Sequence, residues 1–312
     1  MRIISKTRQT KLLRWSVPYI NKAKRVSLPG LDKVPIYNVA LFFFKGIKDG
    51  AINMRASAVA YSLMLALFPA IIFVFTLIHN FQEELLLFIQ SIVPVSIYDS
   101  IQNTIETIIH LNQVENGNIL SLGFILAMFF STNGIVSLIQ SFNASVNVVE
   151  SRSWLMQRLI AIVLVIILSL LIAIGITLIT LTQTVMNFLV DKGLMMQNWT
   201  YYLVSIGKWI VILAVFYFAF SFLYYLGPAR KSKFRFISAG ATLATLLSIL
   251  ATLGFGFYID HFGRYNVLYG SIGTLPIVML MIYLNCLAII IGFELNSGIV
   301  AARKIHLKNI LK

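Results

Sequence analysis

The chain has 312 residues, 59% of them hydrophobic and 12% charged, with a mean hydropathy of +0.86. Soluble domains carry about a quarter charged residues, so this composition excludes a water-soluble globule and points to an integral membrane protein. The net charge of +14, from 25 Lys+Arg against 11 Asp+Glu, calls for a polyanionic partner, and the placement of the charges decides between nucleic acid and anionic lipid. One cysteine, Cys286, excludes an internal disulfide framework and a cysteine-based metal cluster. The four histidines, His79, His110, His261 and His306, are scattered. No metal and no cofactor are expected.

Residues 1–35 are basic and poorly periodic and read as a cytoplasmic tail that ends in the turn chemistry of Pro29-Gly30 and Pro35. They contain no long apolar run, so a cleavable signal is not expected and the first span is expected to act as its own insertion signal. From 36 to 55, Lys45, Lys48 and Asp49 share one face while Val39, Phe43 and Ile47 fall elsewhere, a pattern that predicts an interfacial helix. A bilayer core needs about 20 apolar residues in helical form. Six continuous stretches meet that need, at 56–78, 119–139, 159–181, 203–226, 236–259 and 272–291. Their continuity predicts helices and not a barrel, with a six-helix membrane domain over 36–302 and a short basic tail at 303–312.

The segment 81–118 is long for a connector. Ile97, Ile101, Ile105 and Ile108 form an amphipathic stripe there, and Pro94 separates it from an earlier helical piece, predicting a helical outer segment. It carries no Lys or Arg, but five acidic residues. Basic residues cluster instead on the other side. Twelve lie through Arg55, Arg152 and Arg158 between the second and third spans, four at 230–235, and four after 302. Only Lys192, Lys208 and Arg264 fall opposite. The positive-inside rule then places both termini in the cytoplasm. Each juxtamembrane cation gains roughly 1 kcal/mol from anionic lipid, so the excess charge reads as topology signal and adhesion to inner-leaflet headgroups. No folded basic domain is present to hold nucleic acid.

Within the spans, Gly240, Ala244, Ser248, Thr252 and Gly256 recur every fourth residue, a stripe that lets helices approach closely, within one chain or in a homo-oligomer. Asn133, Ser137, Gln140 and Asn147 fall within about 80° on a helical wheel. That face reads either as interhelical hydrogen bonding or as the lining of a pathway. Glu294 is the one carboxylate in the sixth hydrophobic helix, and Arg55 enters the first span from the same side, so the two are placed to pair. Their role stays open between a structural ion pair and coupling to a ligand, proton or ion. Arg264, beside Tyr265, is suited to a phosphate or lipid headgroup or to Asp260. No Walker-type loop, HExxH or GxSxG elbow occurs, and no enzyme activity is expected.

The run Arg55-Ala56-Ser57-Ala58-Val59-Ala60-Tyr61-Ser62 through Leu67-Phe68-Pro69-Ala70 resembles the opening motif of the YihY/BrkB family of bacterial inner-membrane proteins. Ser131-Thr132-Asn133-Gly134, Leu226-Gly227-Pro228-Ala229-Arg230, Tyr269-Gly270-Ser271-Ile272-Gly273 and Gly292-Phe293-Glu294-Leu295-Asn296 are similar to further family motifs, in the family's order, over roughly residues 36 to 300. The resemblance implies a six-helix fold in a bacterial cytoplasmic membrane, with motif residues at Tyr61, Pro69, Asn133, Gly134, Tyr269, Gly270, Ser271, Glu294 and Asn296. Some members carry an old label as a tRNA-processing ribonuclease, for which this chain offers no acid or histidine cluster. Others are linked to envelope lipid phenotypes.

The expected function is a transporter or flippase-like protein for a lipid or anionic amphiphile. Arg55 and Glu294 would form a gate, and Tyr61, Pro69, Asn133, Ser137, Gln140 and Asn296 would serve the path, with Pro69 kinking or opening the first helix. Arg264 and Tyr269 would meet the headgroup outside. A membrane scaffold for envelope or division machinery is the alternative, and a ribonuclease or lipid-modifying enzyme ranks below both.

Overall fold

The computed structural model describes residues 26–27, 30, 34–77, 117–145, 149–193, 197–229, 237–262 and 274–310. The expected outer segment, Arg264, Tyr269, Asn147 and most of the N-terminal tail lie outside the described residues. Within them the chain is all helical. We number the helices α1 Ile36–Asp49, α2 Ile52–Leu77, α3 Gly117–Ser145, α4 Trp154–Asp191, α5 Gln197–Leu226, α6 Ala239–Phe262 and α7 Thr274–Ile310.

Each of the six expected apolar stretches overlaps one of the helices α2 to α7. Among the described residues, four helices are by themselves long and apolar enough to cross a membrane, over Trp154–Thr182, Tyr202–Leu226, Ala239–Ile259 and Leu275–Ile305. A fifth is reached if α1 and the first part of α2, bent by 65°, count as one span. The expected interfacial segment is thus a helix, but it ends at Asp49. The break comes at Gly50, whose N–H donates to Gly46 O, and Ala51, held at φ 46° in the left-handed region that residues with a Cβ seldom adopt. The sharp bend therefore sits at 50–51, whereas α2 continues through Pro69 to Leu77.

The helices form a bundle in which α7 is packed against α1, α2, α3 and α6, while the α4–α5 hairpin spans from α3 to α6. Phe142 of α3 stacks on Phe293 of α7 at 4.3 Å between centroids, and Tyr224 of α5 meets both rings edge-on. The Tyr224 hydroxyl donates to Ile289 O at 2.6 Å, which lets a phenol sit in the centre of an apolar core. Ala56, Val59, Ile139, Leu164, Ala241 and Ile290 surround this cluster. Val34, ahead of α1, is fully buried with Val39 against Ile299 and Ala302 in the last part of α7. That helix runs to Ile310, so the C-terminal basic residues through Lys308 continue it.

The small-residue stripe of α6 does what its spacing suggests at its first half. Gly240 and Gly292 face each other so closely that a Cβ on either would clash with the other's carbonyl oxygen. Ala244 and Ser248 are fully buried beside them. By contrast α4 and α5 present Ile166, Leu170, Ile174, Leu181, Ile206 and Ile210 outward. A helix this apolar on its exposed side is suited to lipid and not to water.

Replacing Gly292 by Val should separate α6 from α7. We expect a loss of about 2 kcal/mol or more, from overpacking a site with no free volume. A melting temperature in detergent that matches the wild type would show that the two helices are not in contact at this point.

Candidate functional site

The site with the most chemistry lies where α1, α2, α3 and α7 meet. Arg55, one turn into α2, extends between α3 and α7. Its Nη2 lies 3.4 Å from Glu294 Oε2, and both side chains are largely buried, 13% and 5% exposed. Its Nη1 donates to Ser141 O at 2.9 Å and to Ser145 Oγ at 2.6 Å. Ser297 of α7 donates to Ser145 O at 3.2 Å, so the serines of α3 tie both charged helices together. The sequence-based pairing of Arg55 with Glu294 corresponds to this geometry.

Gly46 of α1 closes the site from the remaining side. A Cβ there would overlap Glu294 Oε1, and one on Gly50 would come within 3.2 Å of Arg55 Nη2. Two glycines thus let the α1 backbone approach the ion pair. Two buried polar atoms at the site, Arg55 Nε and Ser141 Oγ, have no hydrogen-bond partner among the described residues. A buried donor without an acceptor is costly, so the pocket leaves part of its polar capacity unused.

Other expected site residues fall elsewhere. Asn296, on α7 one turn beyond the start of the motif, faces the beginning of α6. Its Oδ1 accepts from Gly240 N at 2.8 Å and its Nδ2 donates to Ser238 Oγ at 3.2 Å. Ser238 Oγ also accepts from Ala241 N, and Ser238 N donates to Tyr217 Oη, so Asn296 helps to satisfy the free amides of a helix start. The Asn133, Ser137 and Gln140 stripe does not converge on one lining. Asn133 Oδ1 accepts from Arg158 Nη2 at 2.5 Å, Ser137 is half-buried, and Gln140 is exposed on the surface of this chain. Tyr61 is likewise outside the ion-pair site, 57% exposed on α2. Gly134 instead explains its motif by packing, since a Cβ there would strike Leu63 of α2.

A second polar knot was not singled out by sequence reasoning. Between α3 and α4, Arg152 forms a two-pronged pair with Glu150, Nε to Oε1 and Nη2 to Oε2, each at 2.7 Å. Arg152 Nη2 also donates to Gly227 O at 2.9 Å. Buried Asn143 donates to Glu150 Oε2 at 2.7 Å and accepts from Ala229 N at 2.8 Å. Gly227 itself lies against the Phe142 ring. The Leu-Gly-Pro-Ala run is therefore the segment that fastens the end of α5 to the α3–α4 connection. The available signal was the close spacing of Asn143, Glu150 and Arg152 between two apolar runs. The Arg152 hydrogen bond, the largest influence, holds the Glu150 carboxyl below the ordinary carboxylate range, against an opposing effect of burial.

Glu294→Gln strands Arg55 as an uncompensated buried cation and should cost about 3–5 kcal/mol. The double variant R55Q/E294Q should recover more than about 1 kcal/mol of the summed single losses, as read by detergent melts in a double-mutant cycle; strict additivity would mean that the pair does not interact. For Glu150, the lowered pKa stabilises the folded state above the unfolded carboxylate value and is lost as the pH falls. The melting-temperature gap between wild type and Glu150→Gln should be full at about pH 7 and narrow below about pH 4. A gap independent of pH would mean that Glu150 is not held as the anion.

The Virulence factor BrkB family profile matches residues 43–309, which include both polar knots. Over 264 residues the chain is 30% identical to a protein of Bacillus subtilis named as ribonuclease-like, YfkH, covering 82% of this chain and 92% of that one. It is 24% identical over 303 residues to a UPF0761 membrane protein of Xanthomonas euvesicatoria, 95% of this chain and 66% of the relative. A UPF0761 membrane protein of Idiomarina loihiensis shares 36% identity over 95 residues, 30% of this chain and 34% of that one. No solved structure matches. With its motifs distributed through the matched region, the chain belongs to the virulence factor BrkB family of polytopic membrane proteins.

Proposed function

We propose that this protein is a transporter or flippase-like protein of a bacterial cytoplasmic membrane, moving a lipid or anionic amphiphile in envelope biogenesis. Both termini are cytoplasmic in this reading, which the distribution of Lys and Arg supports. The ion-pair site then opens towards the cytoplasm, near the inner leaflet.

The observation that carries the reading is the contrast between the two ion pairs. Arg152 and Glu150 are joined by two contacts of 2.7 Å, the geometry of a structural strut. Arg55 and Glu294 are more buried, yet they share one contact of 3.4 Å, with Arg55 Nε and Ser141 Oγ left unbonded beside them. A loosely closed pair against a glycine-thinned helix is suited to opening, and an anionic headgroup could replace Glu294 as the partner of Arg55. The sequence has no ATP-binding loop, so the driving force in this reading is a gradient of an ion or of the substrate. The ribonuclease-like name of YfkH is not carried over. Among the described residues each of the two paired acids, Glu150 and Glu294, lies against an arginine, and no group of three or more acids, histidines or cysteines is placed to hold a metal.

The test is reconstitution into liposomes with fluorescent lipid probes, including anionic and polyprenyl-phosphate headgroups. Wild type should move a headgroup-selective subset of probes, E294Q should not, and R55Q/E294Q should remain inactive although its fold is restored. Flux recovered by the double variant would make the pair a strut only. Absence of movement for every probe, with folded protein, would favour the scaffold reading.

A further inference from the structure

A third arginine is placed differently from the other two. Arg158 is the one charged residue between Trp154 and Thr182, the part of α4 long and apolar enough to cross a membrane, and it lies one turn inside that span. Its Nη1 donates to Thr132 Oγ1 at 2.7 Å and to Phe129 O at 3.3 Å, and its Nη2 to Asn133 Oδ1 at 2.5 Å. All three acceptors are neutral. Among the described residues no carboxylate lies within 4 Å of it, whereas Arg55 and Arg152 each have one. A cation at the margin of a hydrocarbon layer without a counter-ion is unfavourable unless water or an anion reaches it.

The three bonds use three of the five N–H groups of the guanidinium and leave Nε–H and one Nη2 hydrogen. These two nitrogens form the edge with which Arg152 grips Glu150. The Arg158 head is flanked by the rings of Phe129, at 4.6 Å, and Trp154, at 5.5 Å, and both rings are exposed on the outside of the chain, 48% and 68%. Leu155 and Leu159, next to Trp154 and Arg158 along α4, are exposed as well. A ligand that matches the whole patch has a phosphate for the open edge and hydrocarbon for the surround.

We propose that Arg158, held by Thr132 and Asn133 and bracketed by Phe129 and Trp154, binds the phosphate of an anionic phospholipid from the surrounding membrane. The neutral grip on α3 fixes the fork, so the lipid meets a preorganised site; Trp154, at the start of the apolar span, matches the interfacial placement of membrane tryptophans. The site deepens the lipid reading given above, and it does not require lipid to cross the bilayer. Absence of transport by the wild type with selective binding intact would overturn that reading alone, and absence of selective binding by the wild type would overturn this site alone.

The experiment is native mass spectrometry of the full chain in neutral detergent, titrated with phosphatidylglycerol and with phosphatidylcholine. Wild type should favour phosphatidylglycerol by about tenfold, and Arg158→Gln should abolish the preference. Arg158→Lys keeps the charge without the fork and should lower the preference by about threefold or more, which also serves if the Gln variant does not fold. Inorganic phosphate at millimolar concentration should displace little lipid. A preference unchanged in R158Q, or in R158K, would overturn the proposal, and so would full displacement by inorganic phosphate, which would mark a simple anion site.

Discussion

A carboxylate enclosed by apolar helices must find a cation and hydrogen-bond donors, because its desolvation outweighs any single packing contact nearby. Glu294 imposes that requirement on this bundle. To meet it, α2 brings Arg55 in from a first turn, α3 offers the Ser141 carbonyl and the Ser145 hydroxyl to the same guanidinium, and α1 gives up a side chain at Gly46. The stretch from Gly292 to Asn296 then serves five different neighbours. Gly292 admits α6, Phe293 stacks on α3 and meets α5, Glu294 takes α1 and α2, and Asn296 completes the start of α6. One turn and a half of helix thereby fixes the positions of most of the others.

The remaining polar groups obey the same economy. Those described in detail gather near helix starts, helix ends or the α3–α4 connection, where backbone groups also lack partners, and Asn143, Arg152 and Asn296 use backbone atoms as well as side chains. Away from the ends that these knots fasten, the α4–α5 hairpin exposes chiefly aliphatic residues. Polar satisfaction and lipid contact are thus divided between regions of the bundle.

How much of this was legible depended on the range of the interaction concerned. Helix positions follow from local composition, and the approach of α6 to α7 follows from a stripe of small residues at a fixed spacing. The Arg55–Glu294 pair was readable because a charge in an apolar run needs a partner at similar depth, and few were available. Gly46 was not readable, since its role depends on the direction α1 takes after the bend at Gly50 and Ala51, where an alanine occupies a conformation that its residue type does not announce. The Asn133 stripe was visible as a stripe, but its division between an arginine contact and an exposed amide depends on how α4 lies against α3. Asn296 carried a motif signal without its cause: Gly240 and Ser238 are 56 and 58 residues away in sequence.

The separation of Arg55 and Glu294 has a consequence for how the protein is made. They stand 239 residues apart. With synthesis at about 5–20 residues per second, the arginine leaves the ribosome on the order of ten seconds or more before its partner exists. During that interval the start of α2 carries an unmatched cation, which is best accommodated by water and lipid phosphates at the membrane surface. Only the arrival of α7 allows the charge to be enclosed. Helix α7 therefore acts as the keystone of assembly, and a nascent chain cut short before residue 294 would retain its early helices without the means to lock them together.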